Sequence, residues 1–135
     1  MKIDFTPELV TGMPEVDDQH KELIRRINDV VSSGEASSSK EETDRLIRFL
    51  GDYIVEHFEE EEKLQRKSGY PKCEWHHGLH QEYIAEFKKL QDEYAKNGPS
   101  LNFTMDLNNS IIGWIVRHIR TVDRELGEFV NGIVN

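Results

Sequence analysis

The chain has a single cysteine, Cys73, so no disulfide can form within it. Positive charge is also scarce: 17 Lys and Arg face 26 Asp and Glu, a formal charge of −9. That surplus repels phosphate backbones and anionic lipid surfaces, which argues against nucleic acid or a membrane as partner. Long apolar runs are missing too. The longest, Ile111 to Val116, falls far short of a bilayer span. At the start, Asp4 interrupts the apolar stretch a secretory leader would need. No segment alternates at period two for long enough to make a convincing strand. These absences lead us to expect a cytoplasmic, monomeric, all-α protein, and 135 residues suit one domain spanning 1–135.

What is present is helical periodicity. Residues 1–16 hold Pro7, Gly12 and Pro14 and read as an ordered arm. From Asp17, a plausible N-cap, Leu23, Ile24, Ile27, Val30 and Val31 recur at helical spacing until Ser32-Ser33-Gly34. Ser39 with Glu42 has the pattern of a capping box and opens a second helix to about residue 67. Its inner stripe is Leu46, Phe49, Leu50, Tyr53, Ile54, His57 and Leu64, and Gly69-Tyr70-Pro71 ends it. A third helix over about 72–96 turns His76, Leu79, His80, Tyr83, Phe87 and Leu90 inward. A fourth, over about 104–131, does the same with Leu107, Ile111, Trp114, Ile115, His118, Val122 and Leu126. Four such helices with short connections favour an antiparallel up-down-up-down bundle. The acidic run Glu59 to Glu62 reads as a solvated face, apart from Glu61.

The chemistry lies in the histidines. His20, His57, His76, His80 and His118 fall on or beside stripes that should face the core. A buried imidazole needs partners for both ring nitrogens, and several converging ones repel each other if protonated. A metal removes both difficulties, because neutral imidazole is a good ligand. His57 and Glu61 are four residues apart, as are His76 and His80, so each pair shares a helical face. His118 and Asp123 are five apart, which turns them about 140° from each other in a regular α-helix. For both to face one centre the helix must widen between them, and we expect a π-type turn there. Five imidazoles and two carboxylates exceed the needs of one ion and suit two first-row metals bridged by carboxylates. His77 points about 100° away from His76 and reads as a surface or outer-shell residue.

The segments Gly12 to Lys21, His57-Phe58-Glu59-Glu60-Glu61, Tyr70-Pro71 with His76-x-x-x-His80, and Trp114 to Ile119 with Asp123 resemble the hemerythrin family, in family order. The likeness runs from about residue 5 to 130 and includes all seven expected ligands. The resemblance implies a non-haem di-iron centre. His76, His80 and His118 would hold one iron, His20 and His57 the other, and Glu61 and Asp123 would bridge them together with an oxo or hydroxo group. Dioxygen would bind reversibly at the iron with two histidines, in an apolar pocket for which Ile24, Tyr53, Ile84, Trp114 and Val122 are candidates. The family usually has a tryptophan where this chain has Phe5, which keeps a ring and loses the indole donor.

Other uses of such a site are an enzyme acting on peroxide or nitric oxide, and a sensor signalling to a partner in trans. A ferritin-like di-iron carboxylate protein would need two Glu-x-x-His motifs. Only Glu74-x-x-His77 is present.

Overall fold

A computed structural model describes residues 3–35, 40–98 and 100–132. Four long helices account for most of them: α1 (Pro14–Glu35), α2 (Lys40–Ser68), α3 (Cys73–Asn97) and α4 (101–130). They form an antiparallel bundle, and no strand occurs among the described residues. No described helix is long and apolar enough to cross a membrane.

The expected stripes make the core. Leu23, Ile24, Ile27, Val30 and Val31 of α1 meet Ile47, Leu50, Ile54 and Phe58 of α2. Tyr83, Phe87, Leu90 and Tyr94 of α3 close the bundle with Phe103, Leu107, Ile115 and Ile119 of α4. Each fully buried side chain of this kind contributes about 1.5–3 kcal/mol of transfer free energy. A second, smaller cluster of Met13, Val16, Tyr70 and Leu126 lies apart from the first. The buried histidines His20, His57, His76, His80 and His118, with Glu61 and Asp123, lie toward the end of the bundle where the second cluster sits.

Three local expectations are corrected. Helix α1 begins at Pro14, not Asp17, because proline supplies a preset φ and needs no amide partner in a first turn. Asp17 instead reaches back to the arm. Its carboxylate accepts from the Thr11 amide (2.9 Å) and hydroxyl (2.7 Å) and from the Gly12 amide (3.3 Å). Ser32-Ser33-Gly34 does not end α1, which continues to Glu35. Phe49, placed on the inner stripe of α2, is 45% exposed under the Arg45 guanidinium. Ile47 takes the buried position. Ser39 and the side chain of Ile111 lie outside the described residues.

The arm is tied to α1 at Ile3, whose amide and carbonyl pair with the Asn28 side chain at 2.9 Å each. A single 3₁₀ turn, Pro7–Leu9, precedes α1. The arm then passes so close to α4 at Gly127 that a Cβ there would meet the Thr11 carbonyl oxygen at 2.0 Å. Helix α4 starts at Leu101, three residues before the expected Thr104, and widens twice, over Leu107–Ile112 and Ile119–Asp123. The second widening is the turn expected between His118 and Asp123, and the first was not anticipated.

Candidate metal centre

The polar layer receives at least one side chain from each helix. His20 comes from α1, His57 and Glu61 from α2, His76 and His80 from α3, and His118 and Asp123 from α4. All seven are buried. The four-residue steps on α2 and α3 bring each pair to one face. The wide turn on α4 does the same for the five-residue step, leaving His118 Nε2 3.1 Å from Asp123 Oδ1.

Two carboxylates organise the layer. Glu61 lies 3.0 Å from His76 Nε2, 3.3 Å from His80, 3.4 Å from His57 and 3.7 Å from His20. Asp123 lies 3.0 Å from His76, 3.1 Å from His118 and 3.1 Å from His20. Between them they reach all five imidazoles. The donor atoms fall into two overlapping groups, each within a 4.8 Å span: Glu61, His76, His80, His118 and Asp123 in one, His20, His57, Glu61 and Asp123 in the other. Both carboxylates belong to both groups.

Protons alone do not satisfy this arrangement. His20 Nε2, His80 Nε2, both oxygens of Glu61 and Asp123 Oδ1 are buried without a hydrogen-bond partner. His76 Nε2 and His118 Nε2 face each other at 3.1 Å, which two lone pairs would not tolerate. Buried polar atoms are almost always paired, so an orphaned set of this size marks a place for cations. The donor chemistry fits first-row divalent metals, and the number of ligands exceeds a tetrahedral structural zinc site.

Three of the outward ring nitrogens are held from behind, while His20 Nδ1 is buried without a hydrogen-bond partner. His57 Nδ1 donates to Gln19 Oε1 at 2.8 Å. The Gln65 amide lies 2.8 Å from His76 Nδ1. His80 Nδ1 donates to Glu62 Oε2 at 2.9 Å. The contacts to His57 and His80 put the proton on Nδ1 and free Nε2 to point into the layer, whereas Gln65 presents its amide N–H to His76 Nδ1. Aromatic faces fix the planes of two rings. Phe58 stacks on His80 at 3.8 Å, and Trp114 stacks on His118 at 4.3 Å with Tyr83 beyond it at 4.1 Å.

Gln19, Glu62 and Gln65 were missed by sequence reasoning. Gln65 carried a usable signal, being four residues beyond Glu61 on the same face. Glu62 did not, and the solvated reading of the acidic run is corrected at this position: Glu62 is buried and paired to two histidines. His77 is half exposed and bonds Glu62, in keeping with an outer-shell place. Of the pocket candidates, Ile24 is buried, while Tyr53, Ile84, Trp114 and Val122 are half-buried.

Electrostatics follow from this crowding. Burial pulls His20 and His76 down, but the close Asp123 and Glu61 carboxylates outweigh it and lift both to about 9. His57 goes down because burial dominates. Burial pushes Glu61 up, yet its imidazole neighbours win and hold it well below the usual carboxylate range. The raised values of His20 and His76 have a sign that can be measured. Their stabilisation is complete below the unfolded histidine value of about 6.5 and is lost as pH rises through about 9. Chelator-treated protein should therefore melt at progressively lower temperature between pH 6.5 and 9. A flat or rising melting temperature across that window would contradict the assignment.

The chain matches the Hemerythrin HHE cation binding domain over residues 11–130. It is 29% identical to the bacteriohemerythrin of Methylococcus capsulatus over 123 residues, covering 89% of each chain. It is 25% identical to the bacteriohemerythrin of Stenotrophomonas maltophilia, covering 95% of this chain and 81% of the relative. A crystal structure of wild-type hemerythrin superposes with a TM-score of 0.84 at 27% identity, covering 95% of this chain and 97% of that one.

Proposed function

Since the chain belongs to the hemerythrin family of HHE cation-binding domains, we propose that it holds two iron ions and binds dioxygen reversibly. The observation that carries this is the sharing of Glu61 and Asp123 between two groups of donor atoms, one with three imidazoles and one with two. His76, His80 and His118 would hold one ion and His20 and His57 the other, with Glu61 and Asp123 available to both. When bound, such a pair would supply reversible two-electron chemistry toward dioxygen.

The chain's own residues set where that happens. The His20 and His57 group has one imidazole fewer, so an ion held there would leave room for a ligand on that side. Ile24 lies one turn beyond His20, and Ile54 one turn before His57, and both are buried. These apolar neighbours keep water from competing for the position. Gln19 holds His57 from behind with a neutral amide.

The test is anaerobic reduction of the purified protein, exposure to air, and a metal count. The expected result is about two irons per chain and a visible band that appears with air and disappears when oxygen is removed. A protein that instead consumes peroxide or nitric oxide catalytically, with no reversible band, would be an enzyme.

A further inference from the structure

We propose that Glu62 is a positioning residue for the metal pair, setting the tautomer and donor strength of His80, and that His77 anchors it from the surface. The inference rests on the two-metal reading above and concerns residues outside the seven ligands.

Three of the five inward histidines have a side chain behind them. Two of those supports, Gln19 and Gln65, are neutral amides. Glu62 is a carboxylate. It lies in the first turn past Glu61, and its Oε2 accepts from His80 Nδ1 at 2.9 Å. Its other oxygen, Oε1, bonds His77 Nδ1. The carboxylate is thus held at both ends, between a fully buried imidazole and one that is 53% exposed. Phe58, stacked on the His80 ring at 3.8 Å, blocks rotation of that ring about its own bond. With the ring plane fixed by Phe58 and Nδ1–H fixed by Glu62, Nε2 of His80 can point only toward Glu61 Oε1, 3.3 Å away.

A carboxylate and an amide differ as supports. The Gln19 amide oxygen and the Glu62 carboxylate both accept an Nδ1–H and so fix the same tautomer, whereas Gln65 turns its amide nitrogen to His76 Nδ1. A carboxylate also polarises the N–H bond, which makes the ring a stronger donor and favours the more oxidised metal. The His76, His80 and His118 side therefore contains one strengthened ligand, while His57 on the open side rests on an amide. The arrangement gives the two ions unequal donor sets in addition to unequal ligand numbers.

The experiment compares wild type with Glu62→Ala, Glu62→Gln and His77→Ala. It reads iron affinity by chelator competition, the midpoint potential of the loaded protein, and exchange of the His80 Nδ1 proton by NMR. In Glu62→Ala we expect iron affinity to fall about 10–100-fold, with fast exchange of that proton. Glu62→Gln should recover most of the affinity, because an acceptor remains, and should shift the midpoint potential upward. A purely structural role would not move the potential in that variant. His77→Ala should speed exchange of the His80 proton with a smaller loss of affinity. If wild type binds two irons and Glu62→Gln matches it in potential while Glu62→Ala matches it in affinity, the role of Glu62 is overturned and the metal site stands. A wild-type chain that takes up no metal would overturn both.

Discussion

Glu61→Ala is expected to cost the protein both metal ions, taking iron content from about two per chain to well below one. Glu61 lies within 3.7 Å of four of the five imidazoles, one of them on α1, one on its own helix and two on α3. It belongs to both groups of donor atoms, so no ion can be held at full strength without it. Removing a single histidine leaves the other group complete and should spare one ion at least in part. Removing Glu61 subtracts from both.

The metal-free fold should suffer as well. Glu61 is fully buried, and its loss takes a counter-charge from His20 and His76, both lifted to about 9. Stripping one partner from a buried ion pair typically costs about 3–5 kcal/mol. Glu60→Gln is the control: Glu60 is exposed, its described partner is Lys63, and metal content should not change. An alanine variant at Glu61 that still holds two irons per chain would remove the bridging role.

Gly127→Ala is expected to destabilise the protein by about 3 kcal/mol, lowering the melting temperature by about 10 °C. Helix propensity alone argues the other way, since alanine is favoured over glycine by about 1 kcal/mol inside a helix. Packing decides the sign. A Cβ at Gly127 would stand 2.0 Å from the Thr11 carbonyl oxygen and 2.9 Å from its carbon, and backbone atoms cannot swing aside as a flexible side chain would. Thr11 is itself tied to Asp17 through its amide and hydroxyl, so moving the arm breaks those bonds as well. Gly78→Ala tests the same substitution in open space: nothing lies within 4 Å of its Cβ, and a gain of about 0.5–1 kcal/mol is expected. Thermal melts of the two variants should move in opposite directions. Equal stability of Gly127→Ala and wild type would mean that the arm does not bear on α4.

Much of the candidate site could be read along the chain because the residues that converge there obey local rules. Four-residue steps place His57 with Glu61 and His76 with His80 on single faces, and the awkward step from His118 to Asp123 required the widened turn that the structure contains. The apolar stripes likewise fixed which faces turn inward. Errors gathered where local signals compete. Asp17 has the chemistry of a cap, but Pro14 starts the helix sooner, and the carboxylate is used for the arm. Phe49 fits the helical period at the edge of the buried arc, and in the structure that edge lies exposed under Arg45.

By itself, then, the sequence determined four amphipathic helices, the faces they bury, and the side chains able to bind metal. Tertiary structure decided how those side chains divide, with two carboxylates common to a set of three imidazoles and a set of two. It also decided that Glu62, Gln19 and Gln65 stand behind particular rings, and that Gly127 lies under Thr11. The physical reason is the range of each constraint. Spacing within a helix is set by backbone hydrogen bonds a few residues long and shows directly in the order of residues. Which atom on one helix meets which atom on another depends on the rotation and axial shift of whole helices, and those are fixed by the packing of the entire core.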